Sequence, residues 1–496
     1  AEAKLKENVT EYEFSDNIRM AKLSAVNIMY LALAWNLTGD ERYLEKGWLE
    51  LKSVAEFPDY NLASIIFSGI ANELLAIGYD WLYNGLSEQR REFIENALFN
   101  KALKPLADGY YGRIFARGDD WSTLKWASNM NAVANTGAIC ASAALFDKYP
   151  DYCLDVISKA VKSLEYTMVM YAPDGAWNEG LWYWHYCATF LGVGLCALKS
   201  VFSSTYGLEN AQGFDKTQYA VMALIGPCGI NNFGDAEFEK VSSYSSFGLI
   251  SQCTGNDFLG AVRVNSLLSN ENETVLPVDI LSYKKHSDAS YPNEKVTKIS
   301  CGEIFTARKD YDINSQNLYF STHFGTSSGY HQHNDTGTFV YDILGERWAE
   351  DLGWEDYKVQ NTYGYSASDI YRMRAEGHNG LVINPSSEPG QKAKRFVPIK
   401  NYGSSENEAF VTADLSELYE NSESVKMGYF IGDNMQSVTA RYEIECSENT
   451  EIYWFMHTKA DINIENGGAY LTKNGKKIYL RFECENASAE ISKMKA

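Results

Sequence analysis

Residues 337–353 read GTFVYDILGERWAEDLG, and their pattern marks a change of structure along the chain. The runs on either side of Leu344-Gly345-Glu346 have the two-residue period of β-strands, and the three residues between them predict a hairpin turn. Similar short runs, bounded by Gly, Asn, Asp or Ser, recur from about residue 297 to the end of the chain. This half is therefore predicted to be an antiparallel β-sandwich.

The first 270 or so residues carry apolar residues at helical spacing instead. Residues 23–40, LSAVNIMYLALAWNLTGD, end at Gly39 as a helix C-cap does, and Asp40 begins another helix with acidic residues in its first turn. The pattern recurs in residues 62–83, 86–98 (capped by Ser87), 134–149, 152–171 and 185–202. Successive helical hairpins predict an (α/α) toroid, because each pair must bury its apolar face on a neighbour.

The two patterns together predict an α+β multidomain protein. An (α/α) toroid is expected at residues 1–288 and the antiparallel β-sandwich at residues 289–496. The polar stretch SYKKHSDASYPNEK (282–295) marks the linker between them.

Composition excludes several classes of protein. Of the 496 residues 45% are hydrophobic, and the net charge of −21 without a Lys/Arg cluster argues against a nucleic-acid binder. The polar start AEAKLKENVTEY is not a signal peptide, and no apolar run is expected to span a bilayer, so no membrane association is expected. Nine scattered cysteines without a CxxC motif predict free thiols. No pattern indicates an oligomeric state.

Two of the seven histidines lie one residue apart, in HQHND (331–335). On a strand, residues i and i+2 share a face, so His331 and His333 are predicted to point to one site. Asp351 follows after the hairpin, and His378 comes at the entrance of a later strand. Two imidazoles and a carboxylate suit Zn²⁺ or a similar divalent ion. The alternative is a set of separate surface or core polar residues.

Two further clusters lie in the helical half. Asn129, Asn131 and Asn135 fall at the start of an apolar helix, where capping accounts for one of them and helix–helix hydrogen bonds are the structural alternative. Residues 173–187, PDGAWNEGLWYWHYC, concentrate aromatic side chains around Glu179. Flat aromatic faces beside a carboxylate suit carbohydrate rings, and they equally suit an ordinary aromatic core.

These three clusters, in this order, resemble the heparinase II/III-like polysaccharide lyases. The resemblance covers roughly residues 20–400 and includes LALAWNLTGDERYLEKG, AIGYDWLY and GINNFGDAEFE, which look like toroid segments of that family. It implies an (α/α) toroid followed by a β-sandwich, and β-elimination of a uronic-acid polysaccharide. The implied substrate is an acidic polysaccharide, a glycosaminoglycan or alginate, and the implied location is periplasmic or secreted.

The resemblance also implies catalytic roles. Tyr183 matches the catalytic tyrosine, a phenol whose reference pKa of about 10 must fall if it is to act as the base. His331 matches the active-site histidine, which serves as base for the other C5 epimer or helps to neutralise the substrate carboxylate. Asn129 or Asn131 would hold that carboxylate. Met130 stands where many family members have a histidine, which puts this neutralisation in question.

By the same resemblance, His333, Asp351 and His378 are the ligands of one divalent metal ion that mainly organises the site. Zn²⁺ is the expected ion, with Mn²⁺ or Ca²⁺ as alternatives. The substrate-binding candidates are Glu179, Trp182, His185, Tyr186 and Arg374, with Arg372 as a further cation.

Two other functions fit parts of the sequence. Toroids of this kind also host inverting glycoside hydrolases, for which Asp174 and Glu179 would be the two carboxylates. A carbohydrate-binding protein without turnover is the second alternative. A lyase leaves an unsaturated sugar that absorbs ultraviolet light, which separates it from both.

Overall fold

The structure is a computed structural model. It describes residues 1–11, 17–60, 65–112, 124–238, 244–255, 257–269, 275–283, 294–312, 314–326, 331–357, 369–388, 390–420, 422–447, 449–465 and 467–494. The domain boundary predicted at residues 288–289 lies outside these ranges.

The chain forms two compact units that are not continuous in sequence. The first contains residues 1–175, 183–218 and 242–290, and the second contains residues 176–182, 219–241 and 291–496. Two short segments from the helical half therefore belong to the second unit, and both carry polar residues of the site described below.

Helices dominate up to residue 281. Those of the described residues are α1 (Glu2–Lys6), α2 (Asn17–Thr38), α3 (Glu41–Glu56), α4 (Ile65–Leu82), α5 (Glu88–Asn96), α6 (Lys104–Asp108), α7 (Asn129–Ala144), α8 (Pro150–Met168), α9 (Leu181–Phe202), α10 (Thr217–Ala223), α11 (Ser246–Thr254), α12 (Phe258–Ser269) and α13 (Pro277–Leu281). The predicted caps are confirmed: Asp40 Oδ1 accepts from the Arg42 N–H, Ser87 Oγ accepts from the Arg90 N–H, and Gly39 has a φ of 69°.

One expectation about apolar runs is wrong. Helix α9 has 22 residues and a mean hydropathy of 1.3, so by length and composition it could cross a membrane. Leu191, Leu195 and Leu198 of this helix are buried within the protein. Within the protein 44% of its apolar window is buried, and a core helix can have the same length and composition as a membrane span, so composition does not separate the two.

Strands follow from residue 296 onward. They are β1 (Val296–Ile299), β2 (Ile304–Arg308), β3 (Tyr319–His323), β4 (Gly325–Thr326), β5 (Phe339–Ile343), β6 (Glu346–Ala349), β7 (Gly380–Ile383), β8 (Phe396–Val397), β9 (Ile399–Ser404), β10 (Ala409–Asp414), β11 (Ser422–Gly432), β12 (Ser437–Cys446), β13 (Ile452–Phe455), β14 (Asp461–Glu465), β15 (Gly468–Lys473) and β16 (Lys476–Arg481). The pairings between them are antiparallel. The β5–β6 hairpin turns at Leu344-Gly345, both at positive φ, as the opening sequence predicts.

Two of the sheets bury a common core. One has the order β1-β2-β3-β5-β6, and the other has the order β12-β11-β10-β9. Phe320, Phe339 and Trp348 of the first belong to the same buried cluster as Val425 and Tyr429 of the second. Alternating buried and exposed residues along β10 and β11 show that the second sheet turns one face to this core and one to solvent.

Two buried arginines fasten residues 219–241 to the five-stranded sheet. Arg347 of β6 pairs with Asp342 of β5, with 2.6 Å between Nε and Oδ1, and its guanidinium also donates to the Ile230 carbonyl at 2.6 Å. Arg308 of β2 donates to the Ala223 carbonyl at 3.2 Å. Buried charges need such partners, so these bonds fix the segment that carries the central carboxylate of the site.

Candidate active site

The site centres on one carboxylate, Asp235, which sequence analysis did not single out. Asp235 Oδ2 lies 2.9 Å from His331 Nδ1, and Asp235 Oδ1 lies 2.9 Å from His333 Nε2. The Tyr357 hydroxyl donates to Asp235 Oδ2 at 2.8 Å and lies 3.0 Å from His331 Nδ1. The two histidines of HQH therefore meet at a single acidic residue 96 and 98 positions earlier in the chain.

The HQH residues do not lie on a strand, so that part of the prediction is wrong. They precede β5 in an irregular segment, and His331 has a φ of 63°, which a strand residue does not adopt. The His331 carbonyl accepts a hydrogen bond from the Asp235 N–H at 2.9 Å. Gly234 makes this contact possible, because a Cβ there would lie 2.3 Å from the His331 oxygen. Backbone and side chain of Asp235 thus both hold His331.

Hydrogen bonds keep Asp235 charged. Burial disfavours the carboxylate, but the bonds from His331 and His333 hold the pKa of Asp235 below its ordinary value. A carboxylate that accepts from an imidazole N–H fixes which ring nitrogen carries the proton. The Nδ1 of His331 faces Asp235, so the carboxylate fixes the orientation of the ring, with Nε2 on the side away from Asp235. The His331 side chain is 25% exposed, whereas that of His333 is fully buried.

Glu179 is a second acidic group in the same unit. Its Oε2 accepts a hydrogen bond from Trp177 Nε1 at 3.0 Å. Burial raises the pKa of Glu179, against the opposing effects of that bond and of the charge on His331. Glu179 is therefore protonated more readily than an exposed glutamate. Trp177 is buried and serves as core, as the alternative reading of the aromatic cluster expects.

Aromatic faces accompany the site. Trp182 stacks on Trp354, with 6.3 Å between ring centroids and 19° between planes, and Trp354 lies 5.7 Å from the Tyr357 ring. Arg372 donates to the Trp354 carbonyl at 2.8 Å and to the Leu352 carbonyl at 3.2 Å, so it holds this segment in place. Stacked indole faces of this kind can contact the apolar face of a sugar ring.

The two histidines predicted to bind metal share one feature: each has one ring nitrogen without a hydrogen-bond partner. His333 donates through Nε2 to Asp235, and its buried Nδ1 has no partner. His378 Nδ1 lies 2.8 Å from Asp351 Oδ2, and its buried Nε2 has no partner. The two rings are 5.4 Å apart between centroids. Metal-binding histidines characteristically donate one nitrogen to a carboxylate and coordinate through the other.

The two unpartnered imidazole nitrogens therefore fit a divalent ion such as Zn²⁺, with Asp351 bonded behind His378. Asp351 Oδ1 accepts from the Gly353 N–H at 2.9 Å, and Asn232 donates to the Asp351 carbonyl at 2.9 Å. Within the described residues, no three His, Cys, Asp or Glu side chains are already placed as a metal-binding group. The metal site stays a prediction.

The asparagine cluster is bonded within the helical unit. Ser128, not an asparagine, caps α7: its Oγ accepts from the Asn131 N–H. The Asn131 amide donates to Ser163 Oγ at 3.0 Å and accepts from Thr167 at 2.7 Å. Asn135 donates to the same Ser163 at 2.9 Å. Asn131 and Asn135 are fully buried and join α7 to α8, whereas Asn129 is 7% exposed.

Tyr183 and its neighbours lie in the first turns of α9. Tyr183 is largely buried, and the Tyr186 ring lies 4.5 Å from Lys22 Nζ and 5.2 Å from Phe190. Burial raises the pKa of Tyr186. His185 is a structural residue: its Nδ1 lies 2.7 Å from Ser246 Oγ, its ring stacks on Tyr244 at 4.0 Å, and burial lowers its pKa to about 3.

Arg374 is occupied by its own loop. It forms two hydrogen bonds with Glu376, at 3.2 and 2.9 Å, and donates to the carbonyls of Ser386, Ser387 and Glu388. These bonds join the two ends of the loop at residues 374–388. They occupy most of the N–H donors of the guanidinium, so few remain for an anionic ligand.

Asp235, Tyr357 and Trp354 are the site residues that sequence analysis missed. A signal existed for Asp235, because GINNFGDAEFE was recognised as a segment of the resemblance, but it was assigned to the toroid. Nothing in the local pattern shows that this segment pairs with HQH. Tyr357 and Trp354 follow the hairpin in WEDY and carry no periodic signal.

No protein-family model matches the sequence, and no curated protein matches it either. The structure, in contrast, has the fold of the glycosaminoglycan lyases that join a helical toroid to an antiparallel β-sandwich. This confirms the predicted fold class and the resemblance to heparinase-like lyases at the level of the fold.

Three solved structures illustrate the likeness. Heparan sulfate lyase HepC from Pedobacter heparinus is 14% identical, with a TM-score of 0.62, over 96% of this chain and 70% of that one. Heparinase III is 12% identical, with a TM-score of 0.66, over 92% and 69%. The chondroitin AC lyase of Streptomyces coelicolor A3, solved with chondroitin sulphate, is 12% identical, with a TM-score of 0.54, over 95% and 69%.

Proposed function

We propose that the protein is a polysaccharide lyase that cleaves a uronic-acid-containing polysaccharide, a glycosaminoglycan in the first instance, by β-elimination. One observation carries the proposal: on a fold shared with such lyases, a single buried carboxylate binds both histidines of HQH and a tyrosine hydroxyl. The similar structures include a heparan sulfate lyase and a chondroitin lyase, which supports a glycosaminoglycan as substrate. A periplasmic or secreted location belongs to the same proposal.

The reaction requires a base, an acid and a means of offsetting charge. The base removes the C5 proton, the electrons of that bond form the C4–C5 double bond, and the C4–O4 bond breaks as the acid protonates O4. Charge accumulates on the substrate carboxylate as the proton leaves, so hydrogen-bond donors aimed at it lower the barrier. Tyr183 is proposed as the base that then returns its proton to O4.

His331 is proposed as the second titratable group of this reaction. Because its Nδ1–H is held by Asp235, its Nε2 either accepts a proton, as the base for the other C5 epimer, or donates one to the substrate carboxylate. Asp235 acts as a positioning residue, which sets the ring orientation and the tautomer.

Asn129 is the proposed partner of the substrate carboxylate. Asn131 is less suited to that role, because its amide is buried and bonded to Ser163 and Thr167. Met130 has no hydrogen bond to offer where family members have a histidine, so Asn129 is the donor proposed in this segment.

A divalent metal ion, Zn²⁺ in the first instance, is proposed at His333 and His378. Asp351, the predicted third ligand, holds His378 through Nδ1, so its proposed role is to orient that ring. The unpartnered ring nitrogens support it. When bound, such an ion would fix the orientation of the HQH segment. Asp235 would then hold His333 from the other side, as carboxylates do behind metal-bound histidines.

The test is an ultraviolet assay on heparan sulfate, chondroitin sulfate, hyaluronan and alginate. We expect at least one polymer to give an absorbing, unsaturated product. Tyr183→Phe should reduce that turnover by about 10³-fold or more while polymer binding persists, since a base is lost without loss of shape. Tyr166→Phe, an exposed tyrosine of α8 with no role in the proposed site, is the control and should retain turnover within about tenfold of wild type.

Three outcomes would overturn the proposal. New reducing ends without ultraviolet absorption would identify a hydrolase. Binding to these polymers without any cleavage would identify a carbohydrate-binding protein. Full activity in Tyr183→Phe would remove the tyrosine from the mechanism.

A further inference from the structure

Two thiols from different helices of the first unit lie against each other. Cys196 of α9 and Cys253 of α11 have their sulfurs 3.9 Å apart. Cys253 is buried, and Cys196 is partly exposed. Cys253 Sγ also lies 3.7 Å from the Gly192 carbonyl, and Cys196 Sγ lies 3.7 Å from Gln252 Oε1, so both side chains are held at the junction of the two helices.

The close approach of the helices explains this contact. One turn before the cysteines, Gly192 of α9 faces Leu249 of α11, and a Cβ at Gly192 would lie 2.7 Å from the Leu249 Cβ. Only a residue without a side chain allows the helices to pack this tightly. Cys196 and Cys253 each follow these residues by four positions, so they occupy the next contact along the same two faces.

Cys196 lines a cavity of about 540 Å³, whereas Cys253 lies buried behind it. The cavity is lined by polar or small side chains, among them Lys199 next to Cys196. The hydrogen bond from Cys253 and the positive charge of Lys199 hold the pKa of Cys196 below its ordinary value, although burial opposes them. A thiol of this kind is the more nucleophilic member of a pair.

The geometry points to Cys196 and Cys253 as a site of reversible oxidation, where a low-molecular-weight disulfide converts the two thiols into a disulfide between α9 and α11. The Cys196 thiolate attacks one sulfur of the small disulfide, forms a mixed disulfide and releases one small thiolate. Cys253 loses its proton and attacks the Cys196 sulfur, which releases the second small thiolate. One disulfide is thus reduced to two thiols while the protein pair is oxidised. The inference does not depend on the proposed lyase activity.

The experiment treats the folded full chain with 2-hydroxyethyl disulfide and maps cysteine linkages by mass spectrometry after non-reducing digestion. We expect a peptide pair joined through Cys196 and Cys253, two hydrogens lighter than the sum of its reduced peptides, and reversal by dithiothreitol. The number of thiols lost on treatment should be larger by two in the wild type than in Cys196→Ser, because exposed thiols such as Cys484 react equally in both. The melting temperature should rise by several degrees, because the link closes a loop of more than 50 residues.

Single substitutions separate the two steps. Cys253→Ser should stop the reaction at the mixed disulfide on Cys196, whereas Cys196→Ser should give neither product. Cys153→Ser removes a buried thiol of α8 in the same unit and should leave the cross-link unchanged. Oxidation of the folded wild type without a Cys196–Cys253 link, or a mixed disulfide on Cys253 in Cys196→Ser, would overturn the proposal.

Discussion

Two buried polar clusters, one in each compact unit, differ in how they use their hydrogen-bonding atoms. In the helical unit, the Asn131 side chain is bonded through both its oxygen and its nitrogen, and Ser163 and Asn135 complete a closed set of bonds. In the second unit, His333 and His378 are equally buried, but each keeps one ring nitrogen without a partner. The first arrangement joins helices, and the second leaves coordinating atoms that the fold itself does not use.

This difference separates polar residues that stabilise a fold from those that bind something else. A buried polar group without a partner costs about 1–3 kcal/mol, so natural structures satisfy such groups unless a ligand does it for them. The two unpartnered imidazole nitrogens, on rings 5.4 Å apart between centroids, are the basis of the proposed ion, whereas the fully bonded amides of Asn131 and Asn135 join helices. Five substitutions test this distinction.

Asp235→Asn should produce the largest change. The variant keeps the shape of the residue but removes the charge that orients His331 and His333. We expect kcat/KM to fall by about 10²–10³-fold, chiefly in kcat, on the polymer cleaved by the wild type. Glu237→Gln, in the same segment, is the matched control and should be nearly neutral. Wild-type kcat in a folded Asp235→Asn protein would show that the cluster has no catalytic role.

His333→Ala should remove the metal and a smaller part of the activity. We expect about one ion per chain in the wild type purified with Zn²⁺, none in the variant, and a loss of activity of about 10–100-fold. Metal content by plasma mass spectrometry measures this without an activity assay. His185→Asn, a histidine of α9 that is bonded to Ser246, should keep its ion. A wild type that stays metal-free at excess Zn²⁺ would contradict the assignment.

Asn131→Ala and Asn129→Ala should have opposite consequences. Removing the Asn131 amide leaves Thr167 and Ser163 without one hydrogen-bond partner each, so the free energy of unfolding should fall by about 1–3 kcal/mol. Asn129→Ala should change stability by less than about 1 kcal/mol but lower turnover. Urea unfolding and the ultraviolet assay, run on both variants, measure the two effects. An Asn131→Ala protein of full stability and no activity would reverse the roles assigned to the two residues.

The sequence predicts what is local in this molecule. The Asp40 and Ser87 caps and the Leu344-Gly345 turn depend on neighbours within four residues, and all three are present. The change from helical to two-residue period likewise predicts the two kinds of structure, because burying one face imposes that period. Such features need no knowledge of the rest of the fold.

Contacts across the chain were beyond local reasoning. Asp235 is recognisable as a site residue only when the fold brings it to His331, 96 residues later. The prediction that HQH lies on a strand failed because the positive φ of His331 is held by a backbone bond from Asp235, not by its neighbours. The structural role of Asn131 likewise depends on its hydrogen bonds to Ser163 and Thr167 of the next helix.

Glu73 gives the prediction with the smallest expected effect, and it tests whether an unpartnered buried atom alone marks a binding site. Its Oε2 on α4 is buried without a partner, like the histidine nitrogens, and burial raises its pKa to about 8. Among the described residues no other metal-binding side chain is known beside Glu73. We therefore expect the unpartnered oxygen to lower the free energy of unfolding and to bind no ion. The folded chain keeps the proton that an unfolded glutamate releases near pH 4.5, so this group's contribution to stability is full below pH 4.5. It is lost as the pH rises to about 8.

Glu73→Gln removes this loss, because the amide does not ionise. Its melting temperature should match that of the wild type near pH 4.5 and exceed it increasingly toward pH 8. The gain should reach about 1 kcal/mol there, a figure reduced for partial exposure of the side chain. Glu92→Gln, an exposed residue on α5, should show no such divergence. Parallel melting curves for Glu73→Gln and wild type at every pH would mean that an unpartnered buried oxygen is not by itself costly in this fold.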